Sequence, residues 1–184
     1  PNTVIATVMI YALHISGRYP AMLNYGAGKK ALLSCIANAN IQQVYTSRAF
    51  IEQGGLEDLL QAISEHVKIC YVEDMAGRLS LLSKLNGYLL SLFAGSYYRK
   101  CEKTMSPDDT AIILFTSGSE GLPKGVALSH KNLLSNCWQV ICILDLSHKD
   151  VLLNFLPVFH SFGLTAGTIL PLEHGIRFMQ YPSP

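Results

Sequence analysis

Residues 116–125 read Thr-Ser-Gly-Ser-Glu-Gly-Leu-Pro-Lys-Gly, a run crowded with hydroxyls and glycines and carrying one lysine. Thr116, Ser117 and Ser119 offer O–H donors, and Lys124 offers a compact positive charge suited to phosphate. Gly118, Gly121 and Gly125 let the backbone approach a ligand closely. Backbone N–H groups in such turns form concave anion sites. The chemistry this set suits is the cradling of a phosphate chain. It is not the P-loop pattern, which places Gly directly before Lys and Ser or Thr directly after it. Here Pro123 precedes Lys124 and Gly125 follows it.

A second segment that could do chemistry lies downstream, Pro157-Val158-Phe159-His160-Ser161-Phe162-Gly163-Leu164. On its residues alone His160 has two readings. It is either a ring that closes a strand and is satisfied by backbone, or a group set beside a reacting carboxylate. Between the two segments Ser129 is a suitable N-cap for a helix reaching about residue 144, with His130 and Asn132 in structural positions.

The spacing of the loop, followed at this distance by Pro-x-Phe-His, resembles the signatures of the adenylate-forming enzymes. These are the acyl-CoA and acyl-ACP synthetases, the adenylation domains of peptide synthetases and the firefly-type luciferases. The resemblance is specific over residues 108–184 and diffuse before them. It implies that Thr116, Ser117, Gly118, Ser119, Glu120, Gly121 and Lys124 form the loop that binds the β- and γ-phosphates of ATP. Glu120 departs from the Thr that many members carry, and an acid beside polyphosphate is repelled unless it faces Mg²⁺, water or a lysine. With this acid the loop looks most like the synthetase half of bifunctional 2-acylglycerophosphoethanolamine acyltransferase/acyl-ACP synthetases. The resemblance further places His160 near the carboxylate and adenylate, as a catalytic candidate, and Gly163 at the acyl entrance. The helix over 164–172 then lines an acyl tunnel, with Ala166 and Gly167 leaving room.

The implied reaction has two steps, formation of an acyl-adenylate from a fatty acid and ATP, then transfer to the thiol of acyl carrier protein or coenzyme A. ATP and Mg²⁺ are the implied cofactors, with no tightly bound metal in this chain. A lysophospholipid and a membrane are implied partners through segments outside it, on the cytoplasmic face of an inner membrane. The family's metal-binding Glu, ribose-binding Asp and lysine-bearing C-terminal domain have no counterpart here. The expectation is therefore an internal fragment of a longer ligase, inactive on its own. The residues also leave open a nucleotide-binding module without ligase activity, and an interaction domain whose glycine loop is structural.

The elements that must position these residues alternate. Residues 111–115, short, β-branched and aromatic, predict a buried strand feeding the loop. Residues 150–157 predict another, ending at Pro157, and 176–180 a third. Upstream, helices are predicted over 4–15, 29–38 and 56–67 and strands over 19–23, 43–46 and 68–72, with Ser47 capping a short helix. This order predicts an α/β fold, a largely parallel sheet flanked by helices. It resembles part of the N-terminal domain of the acyl-CoA synthetase-like fold. The expected division is a first α/β portion over 1–95, a polar connector over 96–109 and an ATP-loop portion over 110–184.

Composition bounds the rest. A chain of 184 residues can bury a sizeable core, and a net charge of +1 calls for no strongly charged partner. No basic stripe with interleaved aromatics points to nucleic acid. Five scattered cysteines without a Cys-x-x-Cys pair suit a reduced, cytosolic setting without a zinc site. Residues 78–93 are rich in Leu, shorter than a membrane span and interrupted by Lys84 and Asn86. They are either a core or interfacial helix or a contact for membrane or acyl chain.

Overall fold

The computed structural model describes residues 2–102, 105–116 and 122–182. In chain order the elements begin with α1 (Val4–Ile15), β1 (Ala21–Met22), a 3-10 turn (Tyr25–Ala27), α2 (Lys29–Asn38), β2 (Gln43–Thr46) and α3 (Arg48–Gly54). Next come α4 (Glu57–Ser64), β3 (Lys68–Tyr71), α5 (Val72–Gly77), α6 (Leu81–Leu92) and α7 (Ala94–Glu102). The chain continues with β4 (Thr110–Thr116), β5 (Lys124–Ser129), α8 (His130–Ile143) and β6 (Val151–Asn154). It ends with α9 (Ser161–Leu164), a π turn (Thr165–Ile169), α10 (Leu170–Glu173) and β7 (Arg177–Gln180). The elements form two compact units, residues 26–105 and residues 1–25 together with 106–184.

One boundary falls after residue 105, inside the expected connector over 96–109, but the first 25 residues belong with the loop-bearing portion rather than with the first α/β portion. The cause is strand pairing, because β1 lies parallel to β4 with Ala21 opposite Ile113 and Met22 opposite Leu114. The connector also differs, being helical as α7 as far as Glu102. Its polar residues read as a loop, but no helix breaker intervenes before Pro107. The α/β class holds, with β1–β4, β2–β3 and β6–β7 parallel and β4–β5 antiparallel. Strand β5 is not predicted by the sequence pattern, and it forms along the edge that β4 offers.

In the unit over 26–105, β2 and β3 pair in register from Gln43–Lys68 to Thr46–Tyr71. Helices α2 and α4 pack together, burying Leu32, Cys35 and Ile36 on one and Ala62 and Ile63 on the other. Ser47 caps α3, accepting the N–H of Phe50 at 3.1 Å. Arg48 grips Asp74 through two bonds of 2.8 and 2.9 Å and lies 4.3 Å from the centre of the Tyr71 ring. The guanidinium holds the Asp74 carboxyl below the usual carboxylate range.

The other unit is organised on β4. Ala111 and Ile112 are fully buried and Leu114 nearly so, between β1 on one edge and β5 on the other. Leu133 and Cys137 of α8, Ile10 of α1, Ile176, and Leu164, Ile169 and Leu170 of the final helical stretch close over it. Each of the larger of these side chains contributes on the order of 1.5–3 kcal/mol by leaving water. Burial raises the Cys137 thiol to about 11, so this sulfur serves as packing. Ser129 caps α8 through a reciprocal pair: its Oγ accepts the Asn132 N–H at 3.2 Å, and Asn132 Oδ1 accepts the Ser129 N–H at 3.0 Å. Trp138 of α8 meets His174, at the end of α10, edge-on with centroids 5.3 Å apart.

Residues 161–173 run as one helical stretch with the π turn in its middle. Pro171 has no N–H to give the carbonyl four residues back, that of Gly167, and the backbone widens there. Asn154, at the end of β6 and 4% exposed, holds the stretch in place. Its Nδ2 donates to the Gly163 carbonyl at 3.0 Å and to Thr168 Oγ1 at 3.2 Å, and its Oδ1 accepts the Leu156 N–H at 3.3 Å. The Thr168 hydroxyl also donates to Gly163, at 3.0 Å. A Cβ on Gly167 would overlap the Asn154 amide.

These contacts generate two expectations. Gly167→Ala destabilises the otherwise natural chain, whereas in an Asn154→Ala background the atoms it strikes are gone and its cost largely disappears. Asn154→Ala alone costs about 1–3 kcal/mol, because three hydrogen bonds are lost and the half-buried Leu156 N–H is left without its acceptor. Urea unfolding of the two single variants and the double variant measures this coupling; additive effects refute it. The second concerns His14, whose Nε2–H donates to the Ala111 carbonyl at 2.7 Å while its ring meets that of His130 at 5.1 Å. Burial, chiefly, and the neighbouring His130 depress its pKa below the ordinary 6.5. Between the depressed folded value and 6.5 the unfolded chain therefore binds more protons. The stability this site contributes is fully present above pH 6.5 and is lost as pH falls from there through the folded value. Thermal melts across that range lose less in His14→Gln than in the natural chain.

Candidate active site

The loop is mounted on the β4–β5 hairpin. β-Branched and aromatic residues make β4 a strand, and its last residue, Thr116, stands directly opposite the first residue of β5, Lys124. Both are exposed, so a hydroxyl and an ammonium face each other at the mouth of the loop. Ser117, Gly118, Ser119, Glu120 and Gly121 lie outside the described residues. Among the described residues no carboxylate pairs with Lys124, which leaves its charge available. An exposed donor and an uncompensated cation at adjacent strand positions fit the phosphate chain of a nucleotide.

His160 stands immediately before α9, its N–H donating to the Pro157 carbonyl at 3.0 Å and its own carbonyl receiving the Leu164 N–H at 2.9 Å. The ring is not satisfied by backbone. It is exposed, caps no helix N–H, and touches Phe159 with centroids 4.7 Å apart. Phe159 in turn meets Tyr25 edge-on at 5.4 Å. His160 is thus backed by aromatics, and among the described residues its ring nitrogens take part in no hydrogen bond.

Gly163 lies one turn into the same stretch and is buried. A Cβ there would run into the carbonyl oxygens of Leu156 and Pro157, so its missing side chain lets the helix start close beneath the turn that carries His160. The room expected at Gly167 is taken by Asn154. Leu164, Ile169 and Leu170 are spent on the chain's own core.

The structure therefore brings Thr116 and Lys124 together, and separately His160 and Gly163. No hydrogen bond or ring contact among the described residues joins the two pairs. Sequence reasoning missed Asn2 and Asn154, which hold the turn between Asn154 and His160 from two sides. Asn2, 1% exposed, donates through Nδ2 to the Leu156 carbonyl at 2.7 Å and accepts the Val158 N–H at 3.0 Å. Asn154 lies inside the predicted strand over 150–157, and an amide among its apolar residues is a signal that was available; Asn2 carried none.

Comparison with known proteins identifies the family and the fold. A model of the AMP-binding enzymes matches residues 1–184. A probable 4-coumarate–CoA ligase 3 of Dictyostelium discoideum is 47% identical over 76 residues, covering 40% of this chain and 14% of that protein. Long-chain-fatty-acid–CoA ligase 1 of Cavia porcellus is 28% identical over 160 residues, covering 82% of this chain and 23% of that protein. This chain thus spans under a quarter of the length of these two curated relatives. A malonyl-CoA ligase structure with methylmalonyl-CoA and AMP bound superposes with a TM-score of 0.73 at 21% identity, over 100% of this chain and 34% of that one. O-succinylbenzoate coenzyme A synthetase of Bacillus subtilis, in complex with ATP and magnesium ion, gives 0.71 at 18% identity, over 100% of this chain and 33% of that one. These last two likenesses establish the acyl-CoA synthetase-like fold. With the family match over its whole length, the chain belongs to the AMP-binding enzymes, an ATP-dependent, adenylate-forming family.

Proposed function

We propose that this chain is the phosphate-binding portion of an ATP-dependent fatty-acid ligase. The observation that carries the reading is the pairing of Thr116 with Lys124, both exposed, at the mouth of a glycine loop on a buried strand. Thr116 and Lys124 hold the β- and γ-phosphates. Ser117, Gly118, Ser119, Glu120 and Gly121 belong to the same cradle by the family resemblance. Bound with the nucleotide, Mg²⁺ would offset part of the phosphate charge that Lys124 meets. A fatty-acid carboxylate oxygen attacks the α-phosphorus, the bond to the β-phosphate oxygen breaks, and pyrophosphate leaves. A thiolate then attacks the acyl carbonyl and expels AMP. The chain's part in the first step is positioning and charge neutralisation. His160 stands at the carboxylate and adenylate, with Gly163 letting its helix lie close enough for that placement.

Residues 1–184 are by themselves insufficient for turnover, and ATP–pyrophosphate exchange by them above a Lys124→Ala control would sink this view. In the full-length ligase, Lys124→Ala and Thr116→Ala lower adenylate formation by about 10²–10³-fold. They leave thioester formation from supplied acyl-adenylate nearly intact, because pyrophosphate has already departed. His160→Ala lowers adenylation without abolishing ATP binding. Equal losses in both half-reactions, with the fold intact by circular dichroism, contradict the assignment.

The acceptor is proposed to be the phosphopantetheine of acyl carrier protein, in a protein serving lysophospholipid reacylation. The Glu-bearing loop and the Leu-Pro-Val-Phe-His-Ser wording of residues 156–161 support this. The relatives named as CoA ligases favour free coenzyme A as the second reading. Palmitate offered with both thiols in competition decides between them. Acyl carrier protein is expected to take most of the acyl group, and predominant acyl-CoA rejects the carrier reading while leaving the ligase standing.

A further inference from the structure

Helix α6 buries none of its residues. Leu81 and Leu82 are 84% and 79% exposed, and Leu85, Leu89, Leu92 and Phe93 are each about half exposed or more. At 100° per residue these six fall on one side of the helix, while Ser83, Lys84, Gly87 and Ser91 fall on the other. A stripe of this kind is far more apolar surface than scattered exposed leucines provide. It is too short to span a bilayer, and among the described residues no helix is long and apolar enough to do so.

The charge around the stripe says what it faces. From Arg78 to Lys103 the chain carries five cations (Arg78, Lys84, Arg99, Lys100 and Lys103) against the single carboxylate of Glu102. That segment is net +4 in a chain whose total is +1, so the remainder is net negative. Helix α7 adds Tyr97 and Tyr98, both about half exposed, beside Arg99 and Lys100. Apolar side chains on one face, cations at both ends and amphipathic rings at the boundary are the composition of a helix that lies in the plane of a membrane surface.

We propose that α6 and α7 form an interfacial element that docks the protein on an anionic lipid bilayer. The leucines and Phe93 enter the boundary between headgroups and acyl chains, and the flanking cations meet lipid phosphates. The inference is independent of ATP and of the ligase reading, since it rests on the other compact unit.

Flotation of the purified 184-residue chain with vesicles tests it. The probes are phosphatidylcholine alone, and phosphatidylcholine with an equal part of phosphatidylglycerol. Binding to the anionic vesicles is expected, much weaker binding to the neutral ones, and release as salt is raised. Leu85→Ser/Leu89→Ser/Phe93→Ser removes exposed groups only; with an unchanged circular dichroism spectrum it lowers partitioning by at least about tenfold. Lys84→Gln and Lys100→Gln each lower it about fivefold on anionic vesicles. Phe93→Trp shifts its emission to the blue on binding. Failure of the natural chain to float overturns the proposal, as does undiminished binding by the triple variant. Self-association abolished by the triple variant, without vesicle binding, also overturns it and assigns the face to a second copy.

Discussion

Strand β4 is paired along both edges and buried at Ala111, Ile112 and Leu114, and the direction this leaves it is its C-terminal end. β1 fixes it from one side and β5 from the other. His14 takes the Ala111 carbonyl and Pro20 the Ile113 N–H, at 2.7 and 2.9 Å. A loop sprung from such a strand inherits its position. The two ends of the loop, Thr116 and Lys124, are set by a register that a slip of one residue would invert. Phosphate binding of the kind proposed benefits from these fixed ends, since groups already held in place lose less ordering entropy on binding.

The segment bearing His160 is fixed by a different device. No sheet holds the chain between Asn154 and Ser161. Instead two buried carboxamides, Asn2 and Asn154, supply donors and acceptors to its backbone, and Gly163 and Gly167 remove the Cβ atoms that would keep the helix away. Buried amides of this sort favour a single arrangement, because any other leaves a polar group unsatisfied in the interior. The result is a histidine whose backbone is pinned on both sides and whose ring nitrogens, among the described residues, have no hydrogen-bond partner.

Much of this was legible beforehand because it rests on local rules. The predicted helices over 4–15 and 29–38 and the strand over 43–46 have the observed limits, since capping by Thr3, the left-handed Gly17 and β-branched residues act within a few positions. The loop and His160 were singled out because their residue types and spacing resemble the family's signatures, which lie within short stretches of chain. What sequence reading missed depends on partners far along the chain. β5 has exposed residues at most positions and becomes a strand only because β4 offers it an edge. The first 25 residues join a unit that begins again at 106, which no local pattern announces. Ala166 and Gly167 were read as leaving room for a ligand, and at Gly167 that room is taken by Asn154, whose proximity is a property of the fold.

Trp138 is the only tryptophan in the chain, and it lies against His174 where α8 meets the end of α10. Five tyrosines, at 45, 71, 88, 97 and 98, lie in the unit over 26–105, which has no tryptophan. Indole fluorescence therefore watches one unit and is blind to the other, while tyrosine absorbance samples both. The protein carries its own optical label for whether the two units come apart together or in turn, with no dye to attach and no residue to replace.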